Sequence, residues 1–254
     1  MLKNTLNSIS PLDGRYATKL RDLEQHFSEF ALIKNRVLVE INWLIFMSRT
    51  KSLRFIPALS KNKETSLLKI INEFSVKDAE QIKKIEAKTN HDVKAVEIFI
   101  GKKLESLNLK KYSEFVHLFC TSEDINNLSY NLMLKGYLDN EFKEINSLLL
   151  KDLKSKSKKW SKLSMLSFTH GQTASPTTLG KEIANFHERV KYHLNLLKFL
   201  NPSGKFNGAV GNYNAHVITD DKVNWQSLSE KFVKSLGLNS VSYTHLRAHE
   251  TSRN

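Results

Sequence analysis

Apolar residues recur at three- and four-residue steps along most of this chain, and that rhythm predicts long helices. From about Phe27 to Arg49, Phe30, Ile33, Val37, Ile41 and Leu44 fall on one helical face. Ser75 with Asp78 three residues on reads as the capping box of a helix running through Glu86. A polar break at Thr89-Asn90-His91 separates it from another helix reaching about Leu107, and residues 108–113 mark a domain boundary. From Ser122 onward, Ile125, Leu128, Leu132, Leu138, Phe142, Ile145, Leu149 and Leu153 keep the same spacing, giving a helix of more than about thirty residues. A further long helix carries Leu179, Ile183, Phe186, Val190, Leu194 and Leu197 on one side. Long helices with one apolar face are stable only when packed into a bundle, often between subunits. The expected architecture is mainly α, with a helical N-terminal domain over residues 1–112 and the first part of a long-helix bundle over 113–240.

Composition sharpens this picture. Glycine and proline are scarce, at 9 and 4 of 254 residues, which favours helices over a turn-rich β architecture. A single cysteine, Cys120, excludes an intramolecular disulfide and agrees with a reducing compartment. Met1 to Ser10 holds no apolar stretch of signal-peptide length, and no run of ~18 apolar residues could span a bilayer. The expectation is a cytoplasmic protein with no membrane partner. The net charge of +13 admits nucleic-acid binding, attraction of an anionic small molecule, or lysines decorating solvated helix faces. The densest group, Lys151 to Lys162, would cover most of a helix circumference, which suits a solvated face better than a binding stripe.

Four polar clusters carry the candidate chemistry. In Thr169-His170-Gly171-Gln172-Thr173, His170 sits among hydroxyls and an amide in a bent polar loop ahead of the helix starting at Leu179. An imidazole there is placed for general acid work, against the plainer reading of a surface histidine. Asn90-His91-Asp92 lies between two helices, where a carboxylate can orient an imidazole and helix-start amides can hold an anion; an ordinary cap is the competing reading. Thr121-Ser122-Glu123-Asp124-Ile125-Asn126-Asn127 is more polar than capping requires, and its two amides call for partners that either a ligand or solvent can supply. Asp13-Gly14-Arg15-Tyr16 offers a guanidinium for bidentate phosphate or carboxylate recognition and a tyrosine to stack or donate. The small and amide residues from Asn207 to His216 lack the spacing of a dinucleotide fingerprint. Cys120, with His117 three positions before it, reads as a small buried thiol, and no His/Cys/Asp set has metal-ligand spacing.

In this order the clusters resemble the bacterial adenylosuccinate lyase family of the fumarase/aspartase superfamily. The resemblance rests on Ser-Pro-Leu-Asp-Gly-Arg-Tyr, Thr-Asn-His-Asp-Val-Lys-Ala-Val-Glu, Cys-Thr-Ser-Glu-Asp-Ile-Asn-Asn and Thr-His-Gly-Gln, from Ser10 to about Asn239. Sister enzymes acting on argininosuccinate or fumarate carry Thr-His-Leu-Gln at the last of these. The resemblance implies cleavage of adenylosuccinate to AMP and fumarate, and of the succinyl-carboxamide imidazole ribotide, by β-elimination without metal or organic cofactor. It implies a homotetramer taking a small-molecule nucleotide and no nucleic acid. By the same resemblance His170 is the general acid, Arg15, Tyr16, Asn90, His91 and Asp92 bind the nucleotide, and Thr121 and Ser122 contact the succinyl part. The alternatives are another lyase of the superfamily, of argininosuccinate or fumarate type, and a basic helical nucleic-acid-binding protein.

The chain departs from the family at its end. The family carries a Gly-Ser-Ser-x-Met-Pro-x-Lys-x-Asn loop with the general-base serine, which this sequence lacks. The stretch from Val241 to Asn254 reads as foreign to the family, so His245 and His249 are not ligand candidates despite their i, i+4 spacing. On this reading the chain alone is inactive and exposes apolar helix faces.

Overall fold

The computed structural model describes residues 7–197 and 199–242 and is mostly helical. The chain divides into two compact units, one formed by the chain up to Lys135 and again from Pro202, the other by Gly136–Asn201. Residue 113, where a boundary is expected from the sequence, lies within the first unit. The ending read as foreign falls, from Tyr243 on, outside the described residues.

The first unit begins with α1 (Arg21–Phe27), α2 (Glu29–Arg49), α3 (Lys61–Asn72), α4 (Val76–Thr89), α5 (Asp92–Ser106), a 3-10 turn (Lys110–Phe115) and α6 (Ser122–Tyr137). Helix α2 starts where the Ser28 hydroxyl accepts the Ala31 N–H at 3.1 Å, satisfying one orphan donor of its first turn. Its predicted stripe of Ile33, Val37, Ile41 and Leu44 is buried against Leu67 of α3, Ile82 of α4 and Val96, Phe99 and Ile100 of α5. Its other side, Val39, Trp43 and Met47, enters a second core with Ile125, Leu128, Phe206, Phe232 and Val233. A helix buried on both sides must be apolar nearly all round. Between Arg36 and Met47 only Arg36, Glu40 and Asn42 are polar.

The expected capping box opens α4: the Asp78 carboxylate accepts from the Ser75 N–H at 3.0 Å and the Ser75 hydroxyl at 2.7 Å. Asn90 ends α4 in the left-handed region, with φ 51°, a conformation asparagine tolerates better than most residues.

The stretch predicted as one long helix from Ser122 is helical as far as Lys159, but not uniformly. A π-helical turn, Leu138–Phe142, separates α6 from α7 (Lys143–Lys159). In the second unit α7 packs on α8 (Leu179–Leu197), and between them lie β1 (Ser164–Thr169) and β2 (Gln172–Thr178). The sequence around His170, expected to be an irregular loop, is therefore an antiparallel hairpin with Thr169 opposite Gln172. Its turn residues His170 and Gly171 have φ of 49° and 75°, fitting a two-residue turn with positive φ at both positions, whose twist matches that of paired strands. The apolar stripes of this unit are open: Ile145 and Leu148 are both 60% exposed and Phe186 58%.

After Pro202 the chain returns to the first unit with β3 (Ser203–Gly204), α9 (Asn214–Thr219), α10 (Trp225–Ser235) and β4 (Asn239–Ser240), β3 and β4 pairing in parallel. Gly204 passes so close to α6 that a Cβ there would stand 2.3 Å from Leu128 Cδ2. Trp43, Phe206 and Phe232 form a tilted aromatic cluster, with Phe232 4.9 Å from Trp43 and 5.1 Å from Phe206 between ring centroids.

Phe232→Ala, which opens that cluster, is expected to lower unfolding free energy by about 3–5 kcal/mol. Ile145→Ala, on an exposed face, should change it by no more than about 0.5 kcal/mol. Urea unfolding followed by far-ultraviolet circular dichroism compares the two.

Candidate functional site

Two of the polar clusters meet through a residue that belongs to neither. Arg36, only 7% exposed, donates from Nη2 to Asp92 Oδ2 at 2.5 Å and from Nε to Asn126 Oδ1 at 2.8 Å. It thereby joins the N-terminus of α5 to the second turn of α6. His91 is the cap of α5, its Nδ1 accepting the Lys94 N–H at 3.1 Å while the ring stays half exposed. An accepting Nδ1 puts the proton of the neutral ring on Nε2, the nitrogen left for a ligand. Asn90 is exposed beside it. The capping role and the polar, accessible surface thus coexist in the same three residues.

The third cluster is organised by Asp124, which is fully buried. Its Oδ2 accepts the N–H groups of Thr121 at 3.0 Å and Gly208 at 3.1 Å. Its Oδ1 accepts Lys205 Nζ at 2.9 Å and the Asn207 N–H at 3.1 Å. Lys205 is itself 0% exposed, so the ion pair is wholly inside the protein. Asn127, whose amide the sequence leaves open to a ligand, is spent on protein: Nδ2 donates to the Lys205 carbonyl at 3.1 Å and Oδ1 accepts the Lys205 N–H at 2.9 Å. Asn126 is likewise engaged, by Arg36. The hydroxyls of Thr121 and Ser122 are half-buried, and among the described residues neither is held by another side chain. With the Glu123 carboxylate, likewise unengaged among the described residues, they are the side chains of this cluster free to meet a ligand.

Just upstream, His117 Nδ1 lies 2.6 Å from Glu40 Oε1, and the His117 N–H donates to Glu40 Oε2 at 3.1 Å. Burial works against the imidazolium, but the hydrogen bond and charge of Glu40, helped by Glu97 and Asp124, outweigh it and raise the His117 pKa. Glu40, His117 and Cys120 bring three ligand-type atoms within 4.8 Å of one another. Two ligands on one tetrahedral zinc stand about 3.3 Å apart, given bonds of about 2.0–2.1 Å. The 2.6 Å contact is therefore that of a shared proton. Burial pushes the Cys120 thiol well above its ordinary range, with Glu40, Asp124 and Glu97 adding to the effect, which agrees with an inert thiol.

Asn207 to His216 wraps the other side of Asp124. His216 is 1% exposed and stacks on Phe119 at 5.0 Å, with Trp225 and Tyr213 edge-on at 5.0 and 5.3 Å. Among the described residues neither of its ring nitrogens has a hydrogen-bond partner. Burial drives its pKa down to about 4, against a smaller upward pull from Asp124.

Arg15 and Tyr16 stand exposed on the turn closed by the Gly14 N–H to Ser10 carbonyl bond, with the guanidinium 5.5 Å from the Tyr16 ring centroid. Among the described residues no hydrogen bond or ion pair ties them to the other candidates. His170 belongs to the second unit, exposed at the apex of the β1–β2 hairpin. Four residues that organise the first-unit clusters lie outside the site residues expected from the sequence: Arg36, Glu40, His117 and Lys205. A signal for the first two is present there, because a charge inside an otherwise apolar helix must be buried and paired.

The fold resembles that of a fumarate lyase from Mesorhizobium sp. BNC1, with a TM-score of 0.68, 17% identity, and coverage of 89% of this chain and 49% of that one. It also resembles the β-carboxy-cis,cis-muconate cycloisomerase of Acinetobacter calcoaceticus, with a TM-score of 0.65, 19% identity, and coverage of 90% of this chain and 51% of that one. At those identities the likeness is one of fold. A lyase family profile matches residues 14–251, and the chain belongs to that lyase family. The match runs past Val241 into the segment read as foreign. Curated relatives named adenylosuccinate lyase include that of Haemophilus influenzae, 44% identical over 96% of this chain and 54% of the relative. Those of Buchnera aphidicola subsp. Schizaphis graminum and Escherichia coli are each 43% identical, over 95% of this chain and 53% of the relative. The chain spans about half the length of the curated relatives it matches. Among the described residues no helix is long and apolar enough to cross a membrane.

The His216 cage makes stability pH-dependent with a definite sign. A histidine whose folded pKa is depressed to about 4 from an ordinary 6.5 stays neutral in the native state while the unfolded chain takes up a proton. Stability is full above about pH 6.5 and falls toward pH 4, by about 1.4 kcal/mol per unit. His216→Phe should flatten this loss, so wild type minus variant differs by about 2 kcal/mol between pH ~7.5 and ~5. Urea midpoints at the two pH values measure it, and equal pH slopes for both proteins would refute the assignment.

Proposed function

We propose that this chain supplies the acid and binding groups of a carbon–nitrogen lyase that cleaves adenylosuccinate to AMP and fumarate. The observation that carries the reading is the 43–44% identity, over nearly the whole chain, to relatives named for that substrate. The same chemistry extends to the succinyl-carboxamide imidazole ribotide, which presents the same succinyl-amine to the same groups.

The reaction removes a proton from the carbon β to the nitrogen and expels that nitrogen, through a carbanion held as an aci-carboxylate. His170 acts as general acid, protonating the leaving nitrogen; its exposed ring at a hairpin apex suits a group that must reach a substrate. The hydroxyls of Thr121 and Ser122 bind the succinyl carboxylates. Asn90, His91 and Asp92, with Arg15 and Tyr16, bind the nucleotide, Arg15 facing its phosphate. Asp92 takes part as a residue oriented by Arg36, its Oδ2 accepting from that guanidinium and its Oδ1 from the Val93 N–H. The base belongs to the remainder of such a lyase, and a homotetramer covering the open stripes of α7 and α8 is the assembly that fits these exposed faces. The protein acts in the cytoplasm, in purine nucleotide biosynthesis, with no cofactor.

A lyase completed by joining this chain to the second half of the Escherichia coli relative provides the assay. It should convert adenylosuccinate to AMP, and absence of turnover in that assembled protein would sink the reading. His170→Ala should lower kcat by about 10²–10⁴-fold with KM changed only a few-fold. A kcat near that of the unsubstituted protein would remove His170 from the acid role.

A further inference from the structure

Glu40 occupies a position where the packing alone calls for a hydrocarbon. It lies mid-helix in α2, 1% exposed, between Val39 and Ile41, both fully buried. A carboxylate is costly to desolvate there unless its partners are fixed. Glu40 spends both oxygens on one residue, Oε1 on the His117 ring and Oε2 on the His117 backbone N–H. One turn further along α2, Trp43 Nε1 donates to the Leu118 carbonyl at 2.8 Å. The helix thus grips two successive residues of the segment leading into α6.

That segment needs gripping. His117 and Phe119 have φ of 61° and 68°, left-handed values that non-glycine residues rarely adopt and that persist only when surroundings over-determine them. The turn then closes by the Cys120 N–H to His117 carbonyl bond at 3.1 Å, and the next amide, that of Thr121, is held by Asp124 at 3.0 Å. Hydrogen bonds run from Glu40 through His117 to Cys120, and the peptide bond carries that order on to Thr121, whose own amide Asp124 holds. This path ends at the two hydroxyls that no protein group engages among the described residues.

We propose that Glu40 is a positioning residue, acting through His117 to fix the 117–121 turn so that Thr121 and Ser122 present their hydroxyls to the succinyl carboxylates. The proposal rests on the reading of those two residues as substrate contacts. It gives a physical purpose to a carboxylate that the second core would otherwise exclude. It also makes α2 the common support of the site, since Arg36, four residues before Glu40, orients Asp92 and Asn126 from the same helix.

Two measurements test it. Glu40→Met keeps the length but removes both accepting oxygens, so the His117 N–H loses its partner whichever ring tautomer is present. In this chain, amide hydrogen exchange at His117 and Cys120 should accelerate by about ten-fold or more while amides of α5 stay within about two-fold. In the completed lyase, KM for adenylosuccinate should rise by about ten-fold or more. His117→Asn, whose Nδ2 can replace Nδ1 as donor to Glu40, should keep a KM near normal, and His117→Ala should behave like Glu40→Met. The His117 pair also decides the matter should Glu40→Met fail to fold. Unchanged exchange at His117 and Cys120, or acceleration shared by the whole core, overturns the proposal whatever the turnover. Faster local exchange with an unchanged KM overturns it too, because the turn would then not position substrate. Absent turnover in the unsubstituted protein tells against the lyase reading instead, and exchange still reports whether Glu40 holds the turn.

Discussion

The first unit is organised around one buried carboxylate. Asp124 receives two donors on each oxygen, which fills the lone-pair capacity of a carboxylate without a water or a second side chain. Three of the donors come from residues 81 to 84 positions away in sequence. A buried ion pair such as Asp124–Lys205 adds little over well-packed hydrocarbon, yet removing one partner costs about 3–5 kcal/mol by stranding the other charge. What the pair provides is geometry. Four donors fixed on two atoms leave one arrangement of the Thr121 turn and the 205–208 segment, and Asn127 repeats the tie through the Lys205 backbone.

Helix α2 imposes the second constraint. Because both its sides face hydrophobic clusters, a charge placed on it cannot reach bulk water without unpacking a core. Arg36 and Glu40 are therefore obliged to find fixed partners, and those partners are the starts of α5 and α6 and the turn between them. Burial converts two flexible, solvated side chains into rigid ones, since a long side chain with its polar atoms saturated has few rotamers left. The exposed polar residues nearby inherit that rigidity. His91 and Thr121 need no buried charge of their own, because their backbones are held by neighbours that have one.

How much of this is legible in the sequence depends on distance along the chain. The stripe Ile33, Val37, Ile41 and Leu44, the Ser75–Asp78 box and the helix start at Leu179 depend on residues within a turn or two, and all lie where expected. The hairpin around His170 reads as a loop in the sequence because Gly171 and Pro176 suggest bending, while Phe168 and the β-branched Thr169, Thr173, Thr177 and Thr178 are the stronger signal for strands. The buried network is illegible for another reason. Arg36 meets Asp92 and Asn126 across 56 and 90 positions, and Glu40 meets His117 across 77. Nothing local distinguishes such a charge from a surface one except the apolar company it keeps. Asn126 and Asn127 stand out for the right reason, as amides needing partners, but the partners prove to be protein.

The histidines differ in how well each meets the demands of the proposed acid role. A group that hands over a proton must carry it at working pH, release it, and reach the atom that receives it. His216 fails the first requirement, since its aromatic cage holds its pKa at about 4. His117 fails the last, its Nδ1 being locked on Glu40 in the interior. His91 has one nitrogen committed to capping α5, which suits orienting a ligand better than moving through a proton transfer. His170 is exposed, at the apex of a hairpin whose two strands fix its backbone while leaving its ring accessible. The positive φ at His170 is tolerable there because the turn and the paired strands impose it jointly. A rigid backbone under an uncommitted, accessible imidazole suits general acid catalysis, and of these four histidines His170 combines these features.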